Sequence, residues 1–151
     1  MKQMHTIAGA PTHPAAGSQN ASLNAFLDVA DRLYDRVTCS LKGIGLSYAK
    51  YDVLSQLHRT GGPLSLGLLA EGQRCAASNI TQLVDRLESE GLVRRVDDPD
   101  DRRSVRAELT PEGARLAEEG TRQIEALRAQ FVSGFTAAEL AQLGRLLDKI
   151  R

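Results

Sequence analysis

Apolar positions along this chain fall at three- and four-residue steps in some stretches and gather in short runs in others, and the change of rhythm marks the elements. From Asn20 to Lys42, Leu23, Phe26, Leu27, Ala30, Leu33, Tyr34, Val37 and Leu41 keep helical spacing, and Gly43 and Gly45 end the helix. Ser47 is placed to cap a second helix with Tyr51, Val53, Leu54 and Leu57 on its apolar side, which Gly61-Gly62-Pro63 breaks. Ser65 opens a short third helix, LGLLAEG. After the turn QRCA, a fourth helix from about Ala77 to Glu90 carries Ile80, Leu83, Val84 and Leu87 on one stripe and stops at Gly91. LVRRV then reads as a strand, DDPDDRR as a tight charged turn and SVRAEL as a second strand. Thr110 and Pro111 start a long fifth helix, with Ala117, Gly120, Ile124, Leu127 and Phe131 at near-heptad spacing. Thr136-Ala-Ala-Glu139 is a capping box opening a sixth, striped by Leu140, Leu143, Leu147 and Ile150. Residues 1–19 have no period and read as a flexible arm.

Helices three and four form a helix-turn-helix pair, and the arginine-tipped hairpin after them completes a winged helix. The predicted class is therefore α+β, mostly helical. Such a module offers a duplex a helix sized for the major groove and a basic loop that reaches the minor groove. Three amphipathic helices lie outside it. They either pack on their own subunit or form a helical dimer interface, and their apolar stripes favour the interface. The expected organisation is an arm over 1–19 and a single domain over 20–151. Within it, 46–109 is the winged-helix part, and 20–45 and 110–151 supply the dimerisation helices.

Composition narrows the classes. The chain has 151 residues, 42% hydrophobic and 25% charged, which is globular composition. No window is apolar and long enough for a bilayer, and the N-terminus lacks a secretory h-region, so a soluble, cytoplasmic protein with no membrane partner is expected. Net charge is zero, which argues against a nonspecific nucleic-acid coat but not against specific DNA binding. Arg94, Arg95, Arg102, Arg103 and Arg106 cluster around the hairpin, among Asp97, Asp98, Asp100 and Asp101. No nucleophile–base pair, phosphate-cradling glycine loop or paired carboxylates suggest an enzyme, and no cofactor is expected. His5, His13 and His58 do not combine with other ligands at metal spacing. The rival from another class is an enzyme, and a second rival is a winged-helix protein–protein adaptor without DNA affinity.

The order of elements, with particular residues in it, resembles the MarR family of bacterial transcription regulators. Leu69-Ala70-Glu71 resembles the family's LAE segment, and the run from Ser78 to Leu87, SNITQLVDRL, its recognition helix. Glu90-Gly91-Leu92-Val93 followed by Asp98-Pro99-Asp100-Asp101-Arg102-Arg103 resembles its wing, and Leu109-Thr110-Pro111-Glu112-Gly113 its exit into the fifth helix. The likeness is strong over residues 46–115 and architectural from about residue 20 onward. Two positions depart from it. Gln73-Arg74 stands where the family has a Leu-Gly turn, and Ala76 where it caps the recognition helix with Ser, a loss of about 1 kcal/mol of helix stability.

The candidate DNA contacts follow from chemistry and position. Asn79 and Gln82 can pair with the N6/N7 edge of adenine; Ser78 and Thr81 suit phosphate or base edges; Arg86 reaches a phosphate or a guanine. The alternative is a solvated helix face. Arg102 and Arg103 sit at the wing tip, where a narrow minor groove holds a guanidinium, and the resemblance makes Asp101-x-Arg103 the wing motif, with Asp101 orienting the loop. The resemblance also implies a homodimer, a double-stranded DNA operator, action as a repressor, and release by a small aromatic or phenolic effector or by thiol oxidation. Cys75, beside Arg74 and a helix N-terminus, and Cys39 are the redox candidates, weighed against inert packing. Tyr34, Tyr51 and His58 are the candidates for the family's effector pocket.

Overall fold

A computed structural model describes residues 16–73, 77–99 and 104–149, with the backbone alone at 16–19 and 77–78. The chain divides into two compact units, Met1–Tyr34 and Asp35–Arg151. The first unit holds the start of helix α1 (Ala16–Lys42). That helix begins four residues before the expected Asn20, so Ala16–Gln19 belong to it and not to an arm. Residues 1–15 lie outside the described ones. On this part of α1, Leu23, Phe26, Leu27, Val29 and Tyr34 are exposed.

The second unit begins with the last turns of α1, where Val37 and Leu41 meet the core. It continues with α2 (Tyr48–Thr60), β1 (Leu64–Ser65), α3 (Leu66–Gln73), α4 (Ala77–Ser89), β2 (Val93–Asp97), β3 (Val105–Leu109), α5 (Pro111–Val132) and α6 (Ala137–Leu147). The caps are those the sequence signals. Ser47 accepts a hydrogen bond from the Lys50 amide, and Gly61 ends α2 in the left-handed region at φ 70°. Thr110 accepts from Gly113 N ahead of Pro111, and Thr136 and Glu139 form the reciprocal capping box. Gly91, at φ 71°, turns the chain from α4 into β2.

The sheet is antiparallel in the order β1-β3-β2, with Arg95 opposite Ala107 and Val96 opposite Arg106. β1 pairs Leu64 with Ala107 and Ser65 with Arg106, a two-residue strand that no alternation could announce. The sheet lies against a core of Leu41, Leu54, Leu57, Leu69, Ile80 and Leu87, all essentially inaccessible. Gly113 and Gly120 let α5 approach closely. A Cβ at Gly113 would lie 1.9 Å from the Leu92 carbonyl oxygen, and one at Gly120 2.6 Å from Tyr51 Cδ2. Two hydrogen bonds, Ser40 Oγ to Gln123 Oε1 at 2.7 Å and Arg36 Nη2 to Gln130 Oε1 at 3.0 Å, tie the end of α1 to α5. On α6 no described residue is buried, and Phe135, Leu146 and Leu147 face solvent. Of the stripe read on that helix, Leu140 and Leu143 are half-buried and Leu147 is exposed, and Ile150 lies outside the described residues.

Candidate DNA interface

Helix α4 is anchored by one face and free on the other. Ile80, Val84 and Leu87 are fully buried, and Leu83 is half-buried. Asn79, Thr81, Gln82, Asp85 and Arg86 are exposed. The steps of three and four from Asn79 to Gln82 to Arg86 place these three side chains on one face. They line an open cleft of about 320 Å³ with Ala49, Gln73 and Leu83. Ser78 lies in α4, but its side chain is outside the described ones.

Two lining residues of this cleft, Ala49 and Gln73, carry no obvious signature. Gln73, at the end of α3, donates from Nε2 to the Ala49 carbonyl at 3.2 Å. Gln56 likewise donates to the Leu68 carbonyl at 3.2 Å. The two amides hold α3 to α2. Gln73 thus has a role at the very position where the chain departs from the family's turn. The polar residue type could have raised that role, but not its partner.

Every carboxylate on the C-terminal half of α4 is paired. Glu90, just past the helix end, takes Lys50 Nζ at 2.5 and 2.6 Å. Glu88 and Asp85 both take the Arg95 guanidinium, at 2.5 Å each. Burial opposes the Arg95 charge, but the hydrogen bonds and charges of Asp85 and Glu88 outweigh it and raise its pKa above the ordinary arginine value. Arg86 makes no ion pair among the described residues. The exposed face of α4 therefore offers amides and a guanidinium, while Asp85 and Glu88 share one guanidinium that offsets one of their two charges.

Of the basic cluster read at the hairpin, three members are committed internally. Arg94 binds Glu108 across the sheet, Nε to Oε2 at 2.7 Å; Arg95 reaches back to α4; Arg106 holds Asp98. The Asp98 amide donates to the Ser104 carbonyl at 3.2 Å, closing the base of the wing. Asp101, Arg102 and Arg103 lie outside the described residues, as does Cys75. Cys39 is an exposed free thiol on α1.

Of the effector-pocket candidates, Tyr51 and His58 belong to the second unit. Tyr51 is buried, and its hydroxyl sits 3.2 Å from Thr121 Oγ1. His58 lines an open cleft of about 280 Å³ with Leu57, Gly61, Gly62, Glu108 and Leu109, and its Nε2 is 3.9 Å from a Glu118 carboxylate oxygen. Tyr34 is exposed and belongs to the first unit. Among the described residues, no helix is long and apolar enough to cross a membrane.

Residues 46–105 match the family model described as MarR family. A relative in Bacillus subtilis, the HTH-type transcriptional regulator YsmB, is 42% identical over 60% of this chain, which spans 62% of that protein's length. The HTH-type transcriptional regulator PecS of Dickeya dadantii is 32% identical over 80% of this chain and 72% of its own. The structure of CouR from Rhodococcus jostii RHA1, bound to p-coumaroyl-CoA, superposes with a TM-score of 0.74 at 27% identity, covering 91% of this chain and 95% of that one. An α4 held by its apolar face beside a three-stranded sheet and these likenesses agree: the chain belongs to the MarR family, as a transcriptional regulator with a DNA-binding winged helix.

Proposed function

We propose that the chain is a cytoplasmic repressor that binds a pseudo-palindromic operator as a homodimer. The observation that carries this reading is the exposed face of α4, where Asn79, Gln82 and Arg86 converge on one cleft while neighbouring acids are paired. Asn79 and Gln82 read adenine edges in the major groove, Ser78 and Thr81 bind phosphate or base edges, and Arg86 takes phosphate or guanine. Arg102 and Arg103 enter the minor groove from the wing, with Asp101 orienting the loop. The reading of a dimer is supported by the exposed apolar side chains of α1 and, separately, by α6, which has no buried residue among those described. Two α4 helices then stand about 34 Å apart, one turn of DNA.

A small aromatic ligand releases the operator by changing that separation. This part is supported by the ligand in the CouR structure and by the cleft beside His58. Tyr34 and Tyr51 are the further candidates for effector contacts, and oxidation of Cys75 or Cys39 is the alternative trigger.

Selection from a pool of random duplexes tests operator binding. An enriched inverted repeat with half-sites one helical turn apart, bound at two chains per duplex and weakened by salt, is the expected result. Enrichment of no sequence would overturn it.

A further inference from the structure

The best-connected side chain near the DNA face is one that points away from it. Arg95 is the central residue of β2, and β2 is an edge strand. Its opposite number, Ala107, is fully buried, so Arg95 stands on the same side of the sheet as the core. From there its guanidinium reaches two carboxylates about one helical turn apart on α4, Nη1 to Glu88 Oε2 and Nη2 to Asp85 Oδ1, both at 2.5 Å. Its amide, on the unpaired edge of the sheet, donates to the other Glu88 oxygen at 3.0 Å. Glu88 therefore grips both the backbone and the side chain of the same residue. The Arg95 side chain is 26% exposed, while Asp85 and Glu88 are 56% and 38% exposed, so the geometry of the fork rather than burial distinguishes this cluster.

We propose that Arg95 is a positioning residue for DNA recognition, a bracket that fixes the wing to the recognition helix so that both engage the duplex as one rigid body. The proposal rests on the DNA-binding reading above. A major-groove helix and a minor-groove loop reinforce each other when their spacing already matches the duplex; otherwise the ordering cost is met at binding. A guanidinium suits the task because its planar fork donates to both acids at once, whereas a lysine ammonium is a point charge. The bracket has a second effect. Asp85 lies three residues from Gln82 and beside Arg86, and unpaired it would set a negative charge against the base-reading face. Arg95 itself makes no base or phosphate contact in this scheme.

The test compares wild type, Arg95→Ala, Arg95→Lys and the double variant Asp85→Asn/Glu88→Gln. Each is titrated with the selected operator and with a scrambled duplex of equal length, at several salt concentrations and at a temperature where melts show it folded. The bracket predicts that all three variants lose operator preference over the scrambled duplex by about tenfold or more, while the charge changes move both affinities together, down in Arg95→Ala and up in the double variant. The salt slope of the charge-conserving Arg95→Lys should match wild type. In preference, Arg95→Lys should resemble Arg95→Ala, since charge without the fork does not hold two acids. If Arg95→Ala does not fold, the double variant, which keeps the guanidinium, decides the question in its place. Three results would overturn the proposal. The first is full operator preference in folded Arg95→Ala or in the double variant. The second is full rescue by lysine. The third is a joint fall in both affinities at unchanged preference with a salt slope lower by about one unit, which would make Arg95 a phosphate contact. Wild type with no preference for any duplex would overturn the DNA-binding reading and the bracket with it; loss of the bracket alone leaves wild-type preference intact.

Discussion

Arg106 holds Asp98 with two parallel bonds, Nε to Oδ2 and Nη2 to Oδ1, each 2.8 Å, and Asp98 is only 8% exposed. The pair closes the root of the wing, where β2 gives way to the turn. Truncating one partner leaves the other partly buried without its main counter-charge. Asp98→Ala is expected to destabilise the protein by about 1–3 kcal/mol. Because the two residues act as a unit, Asp98→Ala/Arg106→Ala should cost less than the sum of the single changes. Urea denaturation of the four proteins measures the coupling. Additive losses would show that the pair contributes nothing of its own.

Gly113 and Gly120 make a graded test of the seam along α5. At Gly120 a methyl group meets the Tyr51 ring, which can shift; at Gly113 it meets the Leu92 carbonyl, which already accepts from the Thr110 amide at 3.1 Å. Gly120→Ala is expected to cost about 1–3 kcal/mol as ordinary overpacking. Gly113→Ala should cost more, because backbone must move. Thermal melts that rank the two in the opposite order would contradict the packing described.

Much of this fold is legible from residue pattern because the elements announce themselves locally. The stripe of Ile80, Val84 and Leu87 sets the buried face of α4, and so leaves Asn79, Gln82 and Arg86 outside. Ser47, Thr110 and Thr136 mark helix starts with a bond three residues long. Tertiary partners are not legible. Arg94, Arg95 and Arg106 read as basic surface, and only the register of β2 on β3 and the position of α4 turn them into internal ligands of acids. β1 escapes a pattern reading because two residues after Pro63 carry no period, and the early start of α1 because Ala16–Gln19 carry no apolar stripe. Gln73 reads as a flaw in a turn until Ala49 lies beside it.

Asp52, on α2, makes stability depend on pH in an unusual direction. Burial raises its carboxyl pKa, and the charge of Arg59 offsets this only in part. A folded pKa above the unfolded one means that the native state binds the proton more tightly. The contribution is most favourable below the unfolded pKa and is lost as pH rises through the folded pKa. At neutral pH the charged form is therefore a liability. Asp52→Asn is expected to raise the melting temperature at neutral pH, and to do so less at acid pH. Melts of both proteins across the carboxylate range decide it; parallel curves would mean that Asp52 is solvated.

On the proposed function, Arg103 contributes charge and not base identity. Arg103→Ala is expected to weaken operator and scrambled DNA together and to lower the salt slope by about one unit. On this reading the melt should barely move, since a side chain committed to DNA adds little to the stability of the free protein. Unchanged affinity and slope would mean that the wing does not touch DNA.

Gln82 is the opposite kind of residue. It is exposed at the centre of the α4 face, between Asn79 and Arg86, and shares their cleft. A glutamine amide matches the acceptor and donor of an adenine edge, and the match is lost entirely in alanine. Gln82→Ala is expected to cost about 1–3 kcal/mol on the selected operator and to relax preference at one position in each half-site. Scrambled DNA should bind as before, with the same salt slope, because no phosphate contact is removed. Arg86→Ala separates the two readings of its neighbour. A lower slope on every duplex marks a phosphate contact, and a lost preference at one base pair marks guanine. Repeating the duplex selection with each variant reads both outcomes at once. If the Gln82→Ala pool returns the wild-type site with wild-type affinity, the base-reading face of α4 has been placed on the wrong side of the helix.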